Sequence, residues 1–186
     1  MVRVLLDRGA TANSEDDLGR TPLHLVAKGS SDIGHDGVGV TQLLLEHGAD
    51  INARDHHNTT PLHLASHYSK DEILRVLLDR GANVSAKDAQ SRTPLHIVSQ
   101  RVYTYSSAGA DVDVARLLLA HGADVNARNS NHKTPLTLAR RHNRSDIAWL
   151  LLDHGGKSGT EIDQSPTPNQ LGSEDVYPYD EVAPST

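Results

Sequence analysis

Thr60-Pro61-Leu62-His63-Leu64-Ala65, then Ile73-Leu74-Arg75-Val76-Leu77-Leu78 and Gly81-Ala82, reads as two short helices closed by a glycine. Thr60 can cap the first helix with its side chain. Pro61 takes the first helical position, where a missing N–H loses no hydrogen bond. Leu62, Leu64 and Ala65 begin an amphipathic turn, and the apolar residues from Ile73 to Leu78 recur at helical spacing. Gly81 falls just past the second helix, where a left-handed residue ends it readily.

The pattern recurs along the chain. Thr21-Pro22-Leu23-His24, Thr93-Pro94-Leu95-His96 and Thr134-Pro135-Leu136-Thr137 repeat the opening, and Gly48-Ala49, Gly122-Ala123 and Gly155-Gly156 repeat the close. Successive Thr residues are 39, 33 and 41 positions apart, and each Thr precedes its Gly by 27, 21, 29 and 21. A two-helix unit cannot bury its apolar face alone, so stacked neighbours must supply the core. The composition agrees: 3% of residues are aromatic, with no Phe and one Trp, so aliphatic side chains have to fill the interior.

The tetrad and its 33-residue spacing resemble the ankyrin-repeat family over residues 1 to about 156. The resemblance implies an all-α solenoid of paired antiparallel helices, with a β-turn finger at right angles to each pair. It also implies protein binding through finger tips and inner helices, without catalysis. The expected division is a half repeat at 1–14, repeats near 15–50, 51–83, 84–124 and 125–156, and an acidic, Pro-rich disordered tail at 157–186. Two departures stand out. Gly19 occupies the usual finger-tip glycine position, but Asn58, Ser91 and His132 replace it elsewhere, and Thr137 stands where the other tetrads have His. Asn tolerates a positive φ better than Ser or His does.

Composition narrows the chemistry. With no Cys, disulfides, thiolate metal sites and cysteine nucleophiles are excluded. No apolar run approaches the ~20 residues of a membrane span, and no signal-peptide pattern opens the chain, so an intracellular protein, cytoplasmic or nuclear, is expected. Residues 1–156 hold 17 basic and 18 acidic side chains, which offers no broad footprint for nucleic acid or an anionic membrane. Arg140, Arg141 and Arg144 read as solvated charges near a helix end. Twelve histidines raise a metal question, with His56, His57 and His67 as the nearest to a cluster; the repeated His24, His63 and His96 read as structural. No catalytic set, cofactor or metal is expected.

Several segments depart from a plain array. Met1 aligns inside an outer helix, which reads as a fragment of a longer array or a capping half repeat. Repeats one and three are longer than repeat two by six and eight residues, around 29–39 and 102–110; the first is Gly-rich and the second carries Tyr103 and Tyr105. Trp149 aligns with Arg75 and Arg116 and is expected to pack on a following segment.

The expectation is therefore a monomeric, non-catalytic scaffold that binds an unidentified protein partner. A targeting or regulatory piece of a larger enzyme or signalling protein is the alternative. The expected contacts are His56, His57 and Thr59 on the second finger and His67 and Tyr68 on the helix behind it. Gln90, Arg92, Gln100 and Arg101 follow in the next repeat, with Tyr103 and Tyr105 as secondary contacts. Lys28, Lys133, Arg141 and His142 occupy matching positions in the flanking repeats.

Overall fold

The computed structural model describes residues 2–29, 36–101 and 108–160. Tyr103, Tyr105, the middle of the first insertion and the tail from 161 to 186 lie outside the described residues. Among the described residues are nine helices and no strand: α1 (Val2–Asp7), α2 (Pro22–Lys28), α3 (Gly37–Glu46), α4 (Pro61–His67), α5 (Asp71–Asp79), α6 (Pro94–Ser99), α7 (Ala108–Ala120), α8 (Pro135–Arg141) and α9 (Ser145–Asp153).

Inner helices α2, α4, α6 and α8 stack in sequence, and outer helices α3, α5, α7 and α9 form a second row against them. Leu23, Leu62, Leu95 and Leu136 share one position of the inner row and are at most 1% exposed. Leu44, Leu77, Leu118 and Leu151 do the same in the outer row, at 2% or less. The core is thus one aliphatic seam between two helical layers. Part of each insertion is helix: Gly37-Val38-Gly39 forms the first turn of α3, capped by Asp36, whose carboxylate accepts the Gly39 N–H at 2.8 Å. Ala108, Gly109 and Ala110 likewise begin α7.

The tetrad histidines bind one repeat to the next. Nε2 of His24, His63 and His96 lies 2.9, 3.0 and 3.0 Å from the carbonyls of Thr59, Arg92 and Lys133, each on the following finger. A carbonyl only accepts, so Nε2 carries the proton. Nδ1 is then free to accept the N–H of Thr21, Thr60 or Thr93, at 3.1–3.2 Å. The Thr hydroxyl sits 2.8–2.9 Å from the same nitrogen. In the first three repeats the hydroxyl therefore turns to the ring. In those repeats the Thr side chain and the His ring form a capping box, and in the fourth the Thr134 hydroxyl accepts the Thr137 N–H at 3.2 Å.

Thr137 is what closes the array. Its hydroxyl accepts the Gly159 N–H at 3.0 Å, and the Thr134 hydroxyl donates to the Lys157 carbonyl at 2.7 Å. Arg128 adds a bond to the Gly159 carbonyl at 3.0 Å. Residues 157–160, read from sequence as the start of the tail, are bonded here in register with the stretch that precedes a finger: the Lys157 N–H donates to Asn126 at 2.7 Å as the Asn83 N–H does to Asn52 at 2.8 Å.

Trp149 is 71% exposed, and most of the chain expected to pack on it lies outside the described residues. Its position on α9 is the solvent-facing one that Arg75 and Arg116 hold in α5 and α7.

A candidate partner-binding groove

Each finger is built by its first residue. The side chains of Asp16, Asp55, Asp88 and Asn129 each accept two backbone N–H groups, two and four residues ahead, at 2.8–3.0 Å. That closes the chain into a tight turn without help from neighbours. The fourth finger residue adopts a positive φ in every case: 71° at Gly19, 57° at Asn58, 57° at Ser91 and 56° at His132. Ser and His thus take the left-handed conformation despite its cost. The recurring Asp or Asn five residues before each tetrad Thr was the signal that fixes these turns.

The fingers join into a rack. Leu18, His57 and Gln90 accept, through their carbonyls, the N–H of His56, Ala89 and Ser130 on the next finger, at 3.0, 2.9 and 3.0 Å. His56 also lies against Gly19, so closely that a Cβ there would fall 2.6 Å from the imidazole. Facing the rack are the C-terminal ends of the inner helices. Arg20 on the first finger feels the charges of Asp16 and of Asp55 on the next finger. His67, at the end of α4, feels Arg92 on the third finger and Arg101 after α6. Burial and these two guanidinium groups hold the His67 imidazole below its usual range. Fingers and helix ends are therefore two walls of one groove.

The expected contacts divide into two sets. His56, His57, His67, Tyr68 and Gln90 are exposed on the walls. His67 and Tyr68 pack edge to face with ring centres 4.8 Å apart, so the two rings present one rigid aromatic surface. Thr59, Arg92 and Gln100 are half-buried. Thr59 and Arg92 give their carbonyls to the tetrad histidines, and the Arg92 guanidinium pairs with Asp88 at 2.7 Å.

Arg101 does not face the groove as a free cation, and this corrects its assignment. Its side chain is 13% exposed and pairs with Asp111, at the start of α7, at 2.5 Å, with the Ser69 hydroxyl in the same cluster. Arg144 completes the cluster, fully buried, 3.1 Å from Asp111 and donating to the Arg101 carbonyl at 2.8 Å. Reading Arg144 as a solvated charge was likewise mistaken. Both guanidinium groups are held inward because a buried Asp111 carboxylate demands compensation. Sequence spacing gave no hint of it, since Ser69, Arg101, Asp111 and Arg144 lie on three different repeats. Lys70 is a groove residue the sequence did not single out: its side chain lies across Gly29 at the end of α2.

Among the described residues, no three His, Asp or Glu side chains converge as metal ligands, His56, His57 and His67 included. No helix among them is long and apolar enough to cross a membrane. In comparison with known families, the profile described as ankyrin repeats (3 copies) matches residues 1–88 and 87–164. No curated protein matches the chain.

Proposed function

The chain belongs to the ankyrin-repeat family, whose members generally act as protein–protein interaction modules, and from that premise we propose a non-catalytic scaffold that binds one partner protein in the groove between fingers and inner-helix ends. The observation that carries this reading is the His67–Tyr68 pair. Two rings, edge to face, stand exposed at the end of α4, and His56, His57 and Gln90 are exposed on the second and third fingers. Large, ordered aromatic surface framed by hydrogen-bonding groups is what interface hot spots are made of. The proposed scaffold acts inside the cell, in cytoplasm or nucleus, as a monomer, with Tyr103 and Tyr105 as secondary contacts.

The test is affinity capture from the native source with crosslinking, followed by titration of the captured partner. Tyr68→Ala should weaken binding by about 1–2 kcal/mol, the range of a hot-spot truncation. Trp149→Ala, on the convex face, should leave affinity unchanged. Crosslinks confined to the outer helices, with Tyr68→Ala inert, would place the binding surface elsewhere.

A further inference from the structure

The charges of this chain are sorted by face. The four fingers (16–20, 55–59, 88–92, 129–133) and the inner-helix ends (28–29, 67–70, 100, 140–143) carry seven Lys or Arg against four Asp. The rest of residues 1–160, the inward-turned Arg101 included, carries eleven basic and fourteen acidic side chains. Three of the four groove-side Asp are the finger residues Asp16, Asp55 and Asp88, whose oxygens accept backbone N–H groups. Arg20, Arg92 and Arg101 are held by Asp16, Asp88 and Asp111. Among the described residues no ion pair engages Lys28, Lys70, Lys133, Arg140 or Arg141. Five histidines, His56, His57, His67, His132 and His142, line the same walls.

The opposite charge sits at the other end of the sequence. Residues 1–160 balance at eighteen basic and eighteen acidic side chains, so the net charge of −6 belongs wholly to residues 161–186. That segment has six acids, no Lys, Arg or His, and two tyrosines within Glu174-Asp175-Val176-Tyr177-Pro178-Tyr179-Asp180-Glu181. Its starting point is fixed: Gly159 is bonded to Thr137 and Arg128 beside the last finger, at one end of the groove. Glu174 follows Thr160 by 14 residues. At a maximum of ~3.3–3.6 Å per residue the span reaches ~46–50 Å. Four inner helices at ~8–10 Å spacing cover ~24–30 Å, so every repeat is within reach.

We propose that the groove's occupant is the chain's own acidic segment 174–181, which lies across Lys133, Arg141, Lys70 and the His67–Tyr68 rings and must be displaced by any foreign partner. Charge complementarity selects the segment, and tethering raises its local concentration to about the millimolar range, so weak contacts suffice. The inference rests on the groove being a binding surface, and it adds a built-in competitor to that surface.

The test uses the full chain. Because the sequence has no Cys, Ser173→Cys takes a single nitroxide label next to the acidic stretch. At low salt and low protein concentration, paramagnetic broadening should fall on the amides of Tyr68, Gln90, Lys133 and Arg141 and spare those of Arg75 and Arg116. It should vanish at about 1 M salt, where the Debye length is ~3 Å. It should vanish equally when Glu174→Gln, Asp175→Asn, Asp180→Asn and Glu181→Gln are combined. Broadening centred on Trp149, or spread evenly over both faces, overturns the proposal. Broadening seen only when labelled and isotope-enriched molecules are mixed also overturns it, and identifies a second copy as the occupant. Absence of broadening at low salt overturns it as well, while the capture experiment with Tyr68→Ala still decides the groove reading separately.

Discussion

Ser91 and His132 stand at φ of 57° and 56°, where a Cβ crowds the following carbonyl oxygen. They are held there by Asp88 and Asn129, whose side chains close the turns around them. Ser91→Gly should therefore raise stability by about 1 kcal/mol, less the entropy a glycine returns to the unfolded chain. Asn58→Gly should gain less, because Asn already tolerates this region; chemical denaturation of both variants checks the ranking. His63 shows the opposite situation, a residue whose conformation and proton are both dictated. Burial holds the imidazoles of His63 and His96 below their usual range. The unfolded histidine titrates near ~6.5, so these rings contribute their full stability above that pH and lose it as pH falls toward the lower folded values. Urea midpoints should fall from neutral pH into the acid range. His63→Ala should lower stability by about 2–3 kcal/mol by stranding the Thr60 N–H and the Arg92 carbonyl, and should flatten part of that pH dependence.

At the scale of elements, the start of α7 is fixed by Asp111. The carboxylate is 1% exposed and faces Arg101, Arg144 and Ser69, which come from the neighbouring turns after α6, α8 and α4. Asp111→Ala would remove the carboxylate that Arg101 and Arg144 share, leaving Arg144 its longer pair with Asp146 at 3.3 Å, and should cost about 3 kcal/mol, read as a lowered denaturation midpoint. Replacing Arg101 by Ala should cost less, since the Arg144 pair survives, and it should act on stability ahead of affinity. This cluster marks where sequence reading stops. The helices were legible because each carries its own start and stop: Thr-Pro at the front and Gly at the back are local chemistry. The exposure of His56, His57, His67, Tyr68 and Gln90 was legible because they stand at finger tips and at the end of an inner helix, positions the repeat pattern marks as outside the core. Arg101 and Arg144 were misread because their partner lies across an insertion, where repeat alignment carries no information. Residues 157–160 were counted with the tail because they carry no repeat motif, although Lys157 and Gly159 bond to Thr134 and Thr137.

The whole molecule is a row of equal interfaces with one uneven end. Leu5 occupies the position of Leu44, Leu77, Leu118 and Leu151, yet it is 50% exposed and its neighbour Val4 53%, whereas those four are at most 2%. The difference is an inner helix, which each of the others has against it. Adding a finger and inner helix ahead of Met1 should bury Leu5 and Val4 and raise stability by about 2 kcal/mol, visible as a higher melting temperature. Leu6, 8% exposed already, should contribute little to the gain. The finger rack and the histidine seam have a mechanical side too. Both link each repeat only to its neighbour, so a bending load is carried as by springs in series: each joint feels the full moment, and the small rotations add. His47 and His121 reach Asp7 and Asp79 across the outer row at 3.3 and 3.4 Å, far from the fingers. Closing the groove compresses one set of ties while it stretches the other. A change in the curvature of the array is thus shared among its joints, each contributing a small part of the total.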